Sequence, residues 1–396
     1  MKKTDKKILL ASILFCSLNL NAFSAATAMQ KFIKGNLNEK TVAVREASGE
    51  EAYKLSNTAI DFCIESHPVL GNDRELDSLA VAAVLSLSPD YIKNLNSDAK
   101  LNVMKKIENL FSTFNASSTV RIAVISKVRS LSDIVDVSDF VAKLNDYLQQ
   151  EAVSTNETAV IKAVINALQD FGNKDSFIIC YTLLNNSKFS SYNEDLEQAC
   201  SSLIPQSMNE VLGIISQSNM TSLTKIYDLV QKNSKLSKKN LCEISENVTL
   251  RAILYMDNFS NQTHEQQDMQ HKALTVLSEN KWTVSSKTAV NYFMNAKKQY
   301  QAGSINESFF CDVIACLPNI APIDSVVPLS DYLEELNAQT EKGEKVSIPV
   351  VLSVIKTLGL IGDKTAFDSL LAVTYIPYPE SVLSSAREAL SGLRWQ

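Results

Sequence analysis

The sequence predicts an all-α fold, an α-α superhelix of about eight stacked helical hairpins. Three observations predict it. Only 10 of the 396 residues are Gly and 9 are Pro, roughly a third and a half of ordinary usage, whereas sandwiches, barrels and propellers need both residues at every turn. Strand-like alternation is absent almost everywhere, and the apolar run at residues 326–327 is too brief to count as a strand. Finally, one apolar stripe, at offsets 0, 4, 8 and 11, returns along the chain at intervals near 40 residues.

The N-terminus has the order of a secretory signal. Lys2, Lys3, Lys6 and Lys7 precede an apolar stretch over residues 8–20, and small residues then gather at Ala22, Ser24, Ala25, Ala26 and Ala28. That order, charge then apolar stretch then small-residue exit, predicts a signal peptide over 1–28 with cleavage between 24 and 28. The apolar stretch is shorter than the roughly 20 residues a membrane span needs, and no transmembrane segment is expected in the mature chain. Losing four lysines and one aspartate takes the net charge from −6 to −9. An acidic surface repels phosphates, so a nucleic-acid partner is not expected. The one basic run, Lys235, Lys238 and Lys239, reads as a solvated helix start. Residues 29–55 show little apolar periodicity and contain Gly35 and Gly49. They read as a lead-in, partly disordered at its start, before a single domain over 56–396.

The stripe justifies the helices in order. It reads Leu76, Ala80, Val84, Leu87, then Val120, Val124, Val128, Leu131, then Val160, Val164, Leu168, Phe171. Near the end it reads Phe309, Val313, Leu317, Ile320 and then Val350, Val354, Leu358, Ile361. Offsets of 4, 4 and 3 stack side chains on one helix face. Any amphipathic helix carries such a face; the spacing near 40 is what unrelated helices have no reason to keep. Between 205 and 300 the register is lost, yet 208–216, 223–232, 240–256, 268–279 and 287–300 each show an apolar face.

Two copies also share the segment just past the stripe. Gly172-Asn173-Lys174-Asp175-Ser176-Phe177 aligns with Gly362-Asp363-Lys364-Thr365-Ala366-Phe367. Gly is expected in the left-handed conformation just past the helix. Asn173, Asp175 or Ser176 in one copy, and Asp363 or Thr365 in the other, supply the next N-cap. His67 precedes Pro68, which predicts a helix end there, while Pro349 and Pro379 suit helix starts.

The last 50 residues resemble a known family. Val354-Ile-Lys-Thr-Leu358-Gly359-Leu-Ile361-Gly362-Asp363-Lys-Thr-Ala366-Phe-Asp-Ser-Leu370-Leu371 is similar to the first helix and turn of a HEAT repeat of the short bacterial, bilin-lyase type. Pro379, Val382, Ala386, Ala389, Leu390 and Leu393 look like its second helix. The resemblance covers 346–395 well and 118–204 fairly. It implies an α-solenoid in which each hairpin buries a face on its neighbours, with Trp395 folded back on the last hairpin. One departure is that the family often sets an Arg after the Val that begins the second helix, and here Leu383 follows Val382, which speaks against a polar ladder.

Catalytic chemistry is sparse. The three histidines are His67, His264 and His271. His264, Asp268 and His271 would share a helix face and could in principle ligate zinc with one position open. The zincin spacing, however, requires His where Asp268 stands, and a polar helix start is the plainer reading. Glu50 and Glu51, and Glu334 and Glu335, are adjacent and diverge on a helix. There is no G-x-S-x-G and no C-x-x-C, and the Asn-x-Ser/Thr matches are what chance gives in an Asn- and Ser-rich chain. Six cysteines lie beyond the signal: Cys63, Cys180, Cys200, Cys242, Cys311 and Cys316. They read either as buried small hydrophobes or, after export, as one or two disulfides, Cys180 with Cys200 the best pair. Cys16 follows Phe15 rather than the small residue that usually precedes a lipid-modified cysteine. No catalytic, cofactor-binding or metal residue is assigned, and no cofactor. The expected function is an exported bacterial scaffold, periplasmic or extracellular, that binds a protein or peptide without catalysis. The alternatives are a metal-dependent enzyme built on His264, Asp268 and His271, and an envelope lipoprotein anchored through Cys16.

Overall fold

The computed structural model describes residues 27–152, 154, 157–256 and 262–394. These residues form an all-α fold of 21 α-helices with a few short 3-10 turns and one π turn. There is no strand among them, only an isolated bridge between Asp363 and Arg394. They divide after Ala199 into two compact units.

The first unit contains α1 (Ala28–Lys34), α2 (Leu37–Glu46), α3 (Gly49–Leu70), α4 (Arg74–Leu85), α5 (Pro89–Lys93), α6 (Ser97–Thr113), α7 (Ser118–Leu131), α8 (Ser138–Asp146), α9 (Thr158–Phe171) and α10 (Lys174–Leu184); α11 (Asn193–Leu203) contains the division. One row of helices packs in succession, α2 on α4, α4 on α7, α7 on α9. A second row lies against it: α3 touches α2, α4 and α6, and α8 touches α9 and α10. The stripe occupies the first row. Leu76, Ala80, Val84, Val120, Val124, Val128, Val160, Val164 and Leu168 are all fully buried.

The stretch expected as a partly disordered lead-in is helical. Asn36 and Glu39 form a reciprocal capping box at the start of α2, a signal legible as Asn-x-x-Glu. The small residues Thr41, Ala43 and Val44 form its buried face, and their periodicity is too weak to be read as a helix. Lys40 ties α1 down by donating to the Phe32 carbonyl (2.5 Å) while its ammonium lies over the Phe32 and Phe62 rings. The helix end expected at His67 is also corrected. α3 runs through Pro68 to Leu70 and stops at Gly71, whose φ is 61°. Pro68 falls in the last turn, where it leaves the Ile64 carbonyl without a backbone donor at the end of the helix, and the His67 ring packs against Phe114 at 4.6 Å.

The second unit contains α12 (Met208–Gln217), α13 (Met220–Gln231), α14 (Lys238–Ile253), α15 (His264–Glu279), α16 (Ser286–Gln301), α17 (Glu307–Ile320), α18 (Val326–Glu341), α19 (Ile348–Ile361), α20 (Phe367–Val373) and α21 (Glu380–Ser391). The five helices expected between 205 and 300 are there with nearly the expected bounds. One row runs α13, α15, α17, α19, α21, each on the next; the other contains α12, α14 and α16, then α18 and α20. The lost register has a physical cause. The position 43 residues before Phe309 is Gln266, and the next stripe position is Gln270, a buried amide that accepts from Tyr292 Oη (2.7 Å). A polar residue holds a core position, so hydropathy alone misses the helix's place in the row.

The twin turns share a sequence but not a backbone. Gly362 takes the left-handed conformation (φ 69°, ψ 25°), as expected, whereas Gly172 is extended (φ −65°, ψ 173°). Gly172 is required for another reason: a Cβ there would lie 2.4 Å from the Leu168 carbonyl oxygen. Asn173 and Asp363 are the next caps, accepting from the backbone N–H groups of Asp175 and Ser176 and of Thr365. Pro349 stands in the first turn of α19 and Pro379 at the N-cap of α21. The described chain closes against the last hairpin: Arg394 donates its backbone N–H to the Gly362 carbonyl (2.8 Å) and its guanidinium to the Ile361 carbonyl (3.1 Å). Trp395, Cys16 and residues 1–26 of the signal expected over 1–28 lie outside the described residues.

Candidate functional site

The three histidines do not assemble a metal centre. His264 and Asp268 form an exposed i,i+4 pair at 3.7 Å on the first turns of α15, where Thr263 and Gln266 make a capping box. The His271 ring faces Phe309 at 6.2 Å. Among the described residues no group of three or more His, Cys, Asp or Glu is placed to hold a metal ion. The acidic pairs are split as well: Glu50 bonds Lys54 and Glu335 bonds Lys297, each at 2.6 Å.

Cys63, Cys180, Cys242, Cys311 and Cys316 are free thiols, so of the two readings the structure has the buried or half-buried thiols and not the Cys180–Cys200 disulfide. Burial pushes the Cys63 and Cys180 thiols up to about 12 and Cys316 up to about 11. Such groups stay protonated and behave as small core hydrophobes rather than nucleophiles.

What the helices do assemble is a set of polar links between neighbours. In the first unit Ser117 Oγ donates to Asp77 (2.7 Å), Ser118 Oγ to Glu157 (3.2 Å), Lys127 Nζ to the Leu87 carbonyl (2.6 Å) and Arg129 Nε to Asp170 (2.8 Å). In the second, Asn319 Nδ2 donates to Ser278 (3.1 Å), Lys297 Nζ to Glu335 (2.6 Å), Ser347 Oγ to Glu307 (2.5 Å), Ser353 Oγ to the Cys311 carbonyl (3.3 Å) and Tyr378 Oη to Asn337 (3.1 Å). Each of these spans 38 to 42 residues. Others span from 32 residues for Asn233 with Ser201 to 45 for Lys106 with Asp61, and three join helices adjacent in the chain at 15, 18 and 22 residues, Lys31 with Glu46, Tyr227 with Ser245 and Tyr292 with Gln270. The missing Arg at Leu383 thus does not preclude polar links; other side chains make them.

Arg121, on which no motif falls, is the most enclosed charge of the set. It follows Val120 on α7, is 2% exposed, and its guanidinium sits between the rings of Phe111 (4.7 Å) and Tyr147 (4.8 Å), with Glu157 at 3.7 Å. The two aromatic faces and the carboxylate compensate the lost hydration. An Arg directly after a stripe Val was the available signal.

Two grooves open between row helices. One, of about 580 Å³, lies along α1 and α2 and is lined by Gln30, Lys31, Asn38, Val42 and Glu46, with Lys31 bridging to Glu46 at 3.2 Å. The other, of about 490 Å³, lies between α19 and α21, where Gly359 comes so near Ala389 that a Cβ would meet it at 2.9 Å. Leu360 protrudes there with Lys356 and Glu388 beside it. Both grooves are open and mixed in polarity. They suit contact with another surface more than enclosure of a small substrate. No protein-family model matches the chain, and it matches no curated protein and no solved structure. No described helix is long and apolar enough to cross a membrane.

Proposed function

We propose that the chain is an exported bacterial helical-repeat scaffold of the HEAT-like, α-solenoid kind, which binds a protein or peptide partner in the periplasm, the cell envelope or outside the cell. One observation carries the repeat reading: the polar links between neighbouring helices cluster at 38 to 42 residues. A chain whose long-range bonds gather at one short interval fits an array of units that contact only their neighbours, which is the energetic definition of a repeat protein. Such arrays offer long surfaces and recognise partners by spread contacts. The signal-like order of residues 1–28 supports export, and the free, protonated cysteines and dispersed histidines fit recognition better than catalysis.

The test is capture of partners from envelope extracts with the tagged chain, read by mass spectrometry, alongside fractionation and the intact mass of the recovered protein. Stoichiometric co-purification of a partner from the envelope fraction is expected, with a mature N-terminus between residues 25 and 29. A chain recovered at full length from the cytosol would defeat the export reading. One that retains no partner at native levels would defeat the scaffold reading.

A further inference from the structure

We propose that one edge of the second unit is a docking surface for an anionic phospholipid bilayer. Helices within a row run parallel, because each is joined to the other row by an up-down hairpin. The turns at 232–237, 280–285, 321–325 and 362–366 therefore share an edge. One side-chain bond supports this: Ser286 Oγ donates to Asp324, joining the second and third turns, while Trp282 Nε1 reaches inward to Glu246 in the middle of α14 (3.2 Å).

Two kinds of residue concentrate there. The first is aliphatic and points to solvent: Val284 is 73% exposed, Ile323 79% and Val327 60%. Val284 and Ile323 occupy the tips of successive turns, so they protrude together. The second is basic: the run Lys235, Lys238 and Lys239, insufficient by itself, is joined across the next turn by Lys281 and Lys287, all exposed or half-exposed. Among the carboxylates nearby, Glu246, Asp324 and Asp363 are engaged in bonds within the chain, while Asp228, Glu243, Glu279, Asp331 and Asp368 are exposed or half-exposed. The corresponding turns of the first unit are of mixed sign, with Glu51, Asp90, Asp133 and Asp139 beside Arg45, Lys93 and Lys174, all exposed or half-exposed. Aliphatic tips ringed by lysines match the interface of an anionic membrane: the side chains enter the headgroup boundary and the ammonium groups meet the lipid phosphates. The contact deepens the envelope reading above and rests on it for its setting, but the surface chemistry is tested on purified protein.

The experiment is flotation of the chain with vesicles of phosphatidylcholine alone or with phosphatidylglycerol, at roughly 0.1 M and 1 M salt, where the screening length falls from about 10 Å to about 3 Å. Wild type and variants are compared side by side, so that residues 1–26 contribute equally. Flotation only with phosphatidylglycerol and only at low salt is expected. Each lysine near the surface is worth about fivefold in partitioning, so K235Q/K238Q/K239Q weakens binding by about a hundredfold. Val284→Asp/Ile323→Asp, which alters exposed side chains only, abolishes flotation while leaving the helical circular dichroism intact. Absence of flotation at low salt, or flotation that every variant retains, overturns the proposal. Retention on an acidic polypeptide resin without vesicle binding also overturns it, and assigns the edge to an acidic protein instead. A failed flotation beside a successful partner capture overturns the membrane contact and leaves the scaffold reading standing.

Discussion

The two units fix the same row packing with different chemistry. All three buried charged side chains among the described residues, Glu108, Arg121 and Lys127, lie in the first unit. The second buries hydroxyls and amides instead: Tyr292 donates to Gln270 (2.7 Å), and Tyr227 and Ser245 share a bond of 2.8 Å. A buried charge is costly to desolvate and destabilising to orphan, so a charged joint punishes the loss of either partner. A neutral joint costs less to form and less to break. The first unit should therefore be the more sensitive to point changes at its buried charged joints, and the one whose buried charges link its stability to pH.

The largest break is at Arg121. Arg121→Ala removes a guanidinium stacked on two rings and takes a cation from Glu157, with an expected loss of about 3–5 kcal/mol. Arg121→Met keeps the stem between Phe111 and Tyr147 and loses clearly less. Hydrogen exchange read on peptides from α7 and α9 checks this, because only the first unit should open. Equal losses for Ala and Met would mean that the charge, not the packing, holds the joint.

The twin turns give the next contrast. Gly172→Ala forces a methyl into backbone and costs about 1–3 kcal/mol. Gly362→Ala costs about 1–2 kcal/mol through its left-handed backbone. Asparagine separates the two causes: it tolerates the left-handed region, so Gly362→Asn recovers part of the loss, while Gly172→Asn recovers none. Urea unfolding of the four variants reads the difference.

These turns also mark how far the sequence could be read. The hairpins were legible because Gly, a polar cap and Phe occur together twice, 190 residues apart. The backbone at Gly172 was not, because the need for Gly there comes from a carbonyl one turn back and not from the turn's own dihedral. The helices α13 to α16 were legible one by one, since each has an apolar face. Their place in the rows was not, because Gln270 stands where hydropathy expects an aliphatic residue and its partner, Tyr292, is 22 residues away. Of the candidate surfaces, the lysine run at α14 was visible. Its union with Lys281, Lys287 and the aliphatic tips required the fold.

A smaller effect tests the neutral joint. Tyr292→Phe leaves the Gln270 carbonyl oxygen without its hydroxyl donor and is expected to cost about 1–2 kcal/mol, read by urea unfolding. Burial keeps the Tyr292 hydroxyl protonated far into alkali. The loss should therefore be the same at mildly acidic and neutral pH, and a pH-dependent loss would break the contrast with the first unit.

The smallest effect is the pH response of the first unit. Glu108, on α6 and buried, has its carboxyl raised from the ordinary 4.5, chiefly by desolvation. Lys143 and Lys105 oppose the rise and Asp139 adds to it. The folded state then holds a proton that the unfolded chain has already released. That contribution is fully present below the ordinary Glu range and is lost as pH rises through the raised value. Lys127 has the opposite linkage: burial lowers its ammonium, so raising pH through the lowered value toward the unfolded one favours folding. From the ordinary Glu range up through the raised value, Glu108 contributes a loss of stability as pH rises. Glu108→Gln removes its titration, so the variant should lose less stability than wild type as pH rises across that window, with exchange on α6 and α8 as the readout. A slope unchanged by the substitution would show that Glu108 stays ionised in the fold, with Lys143 and Lys105 outweighing its burial.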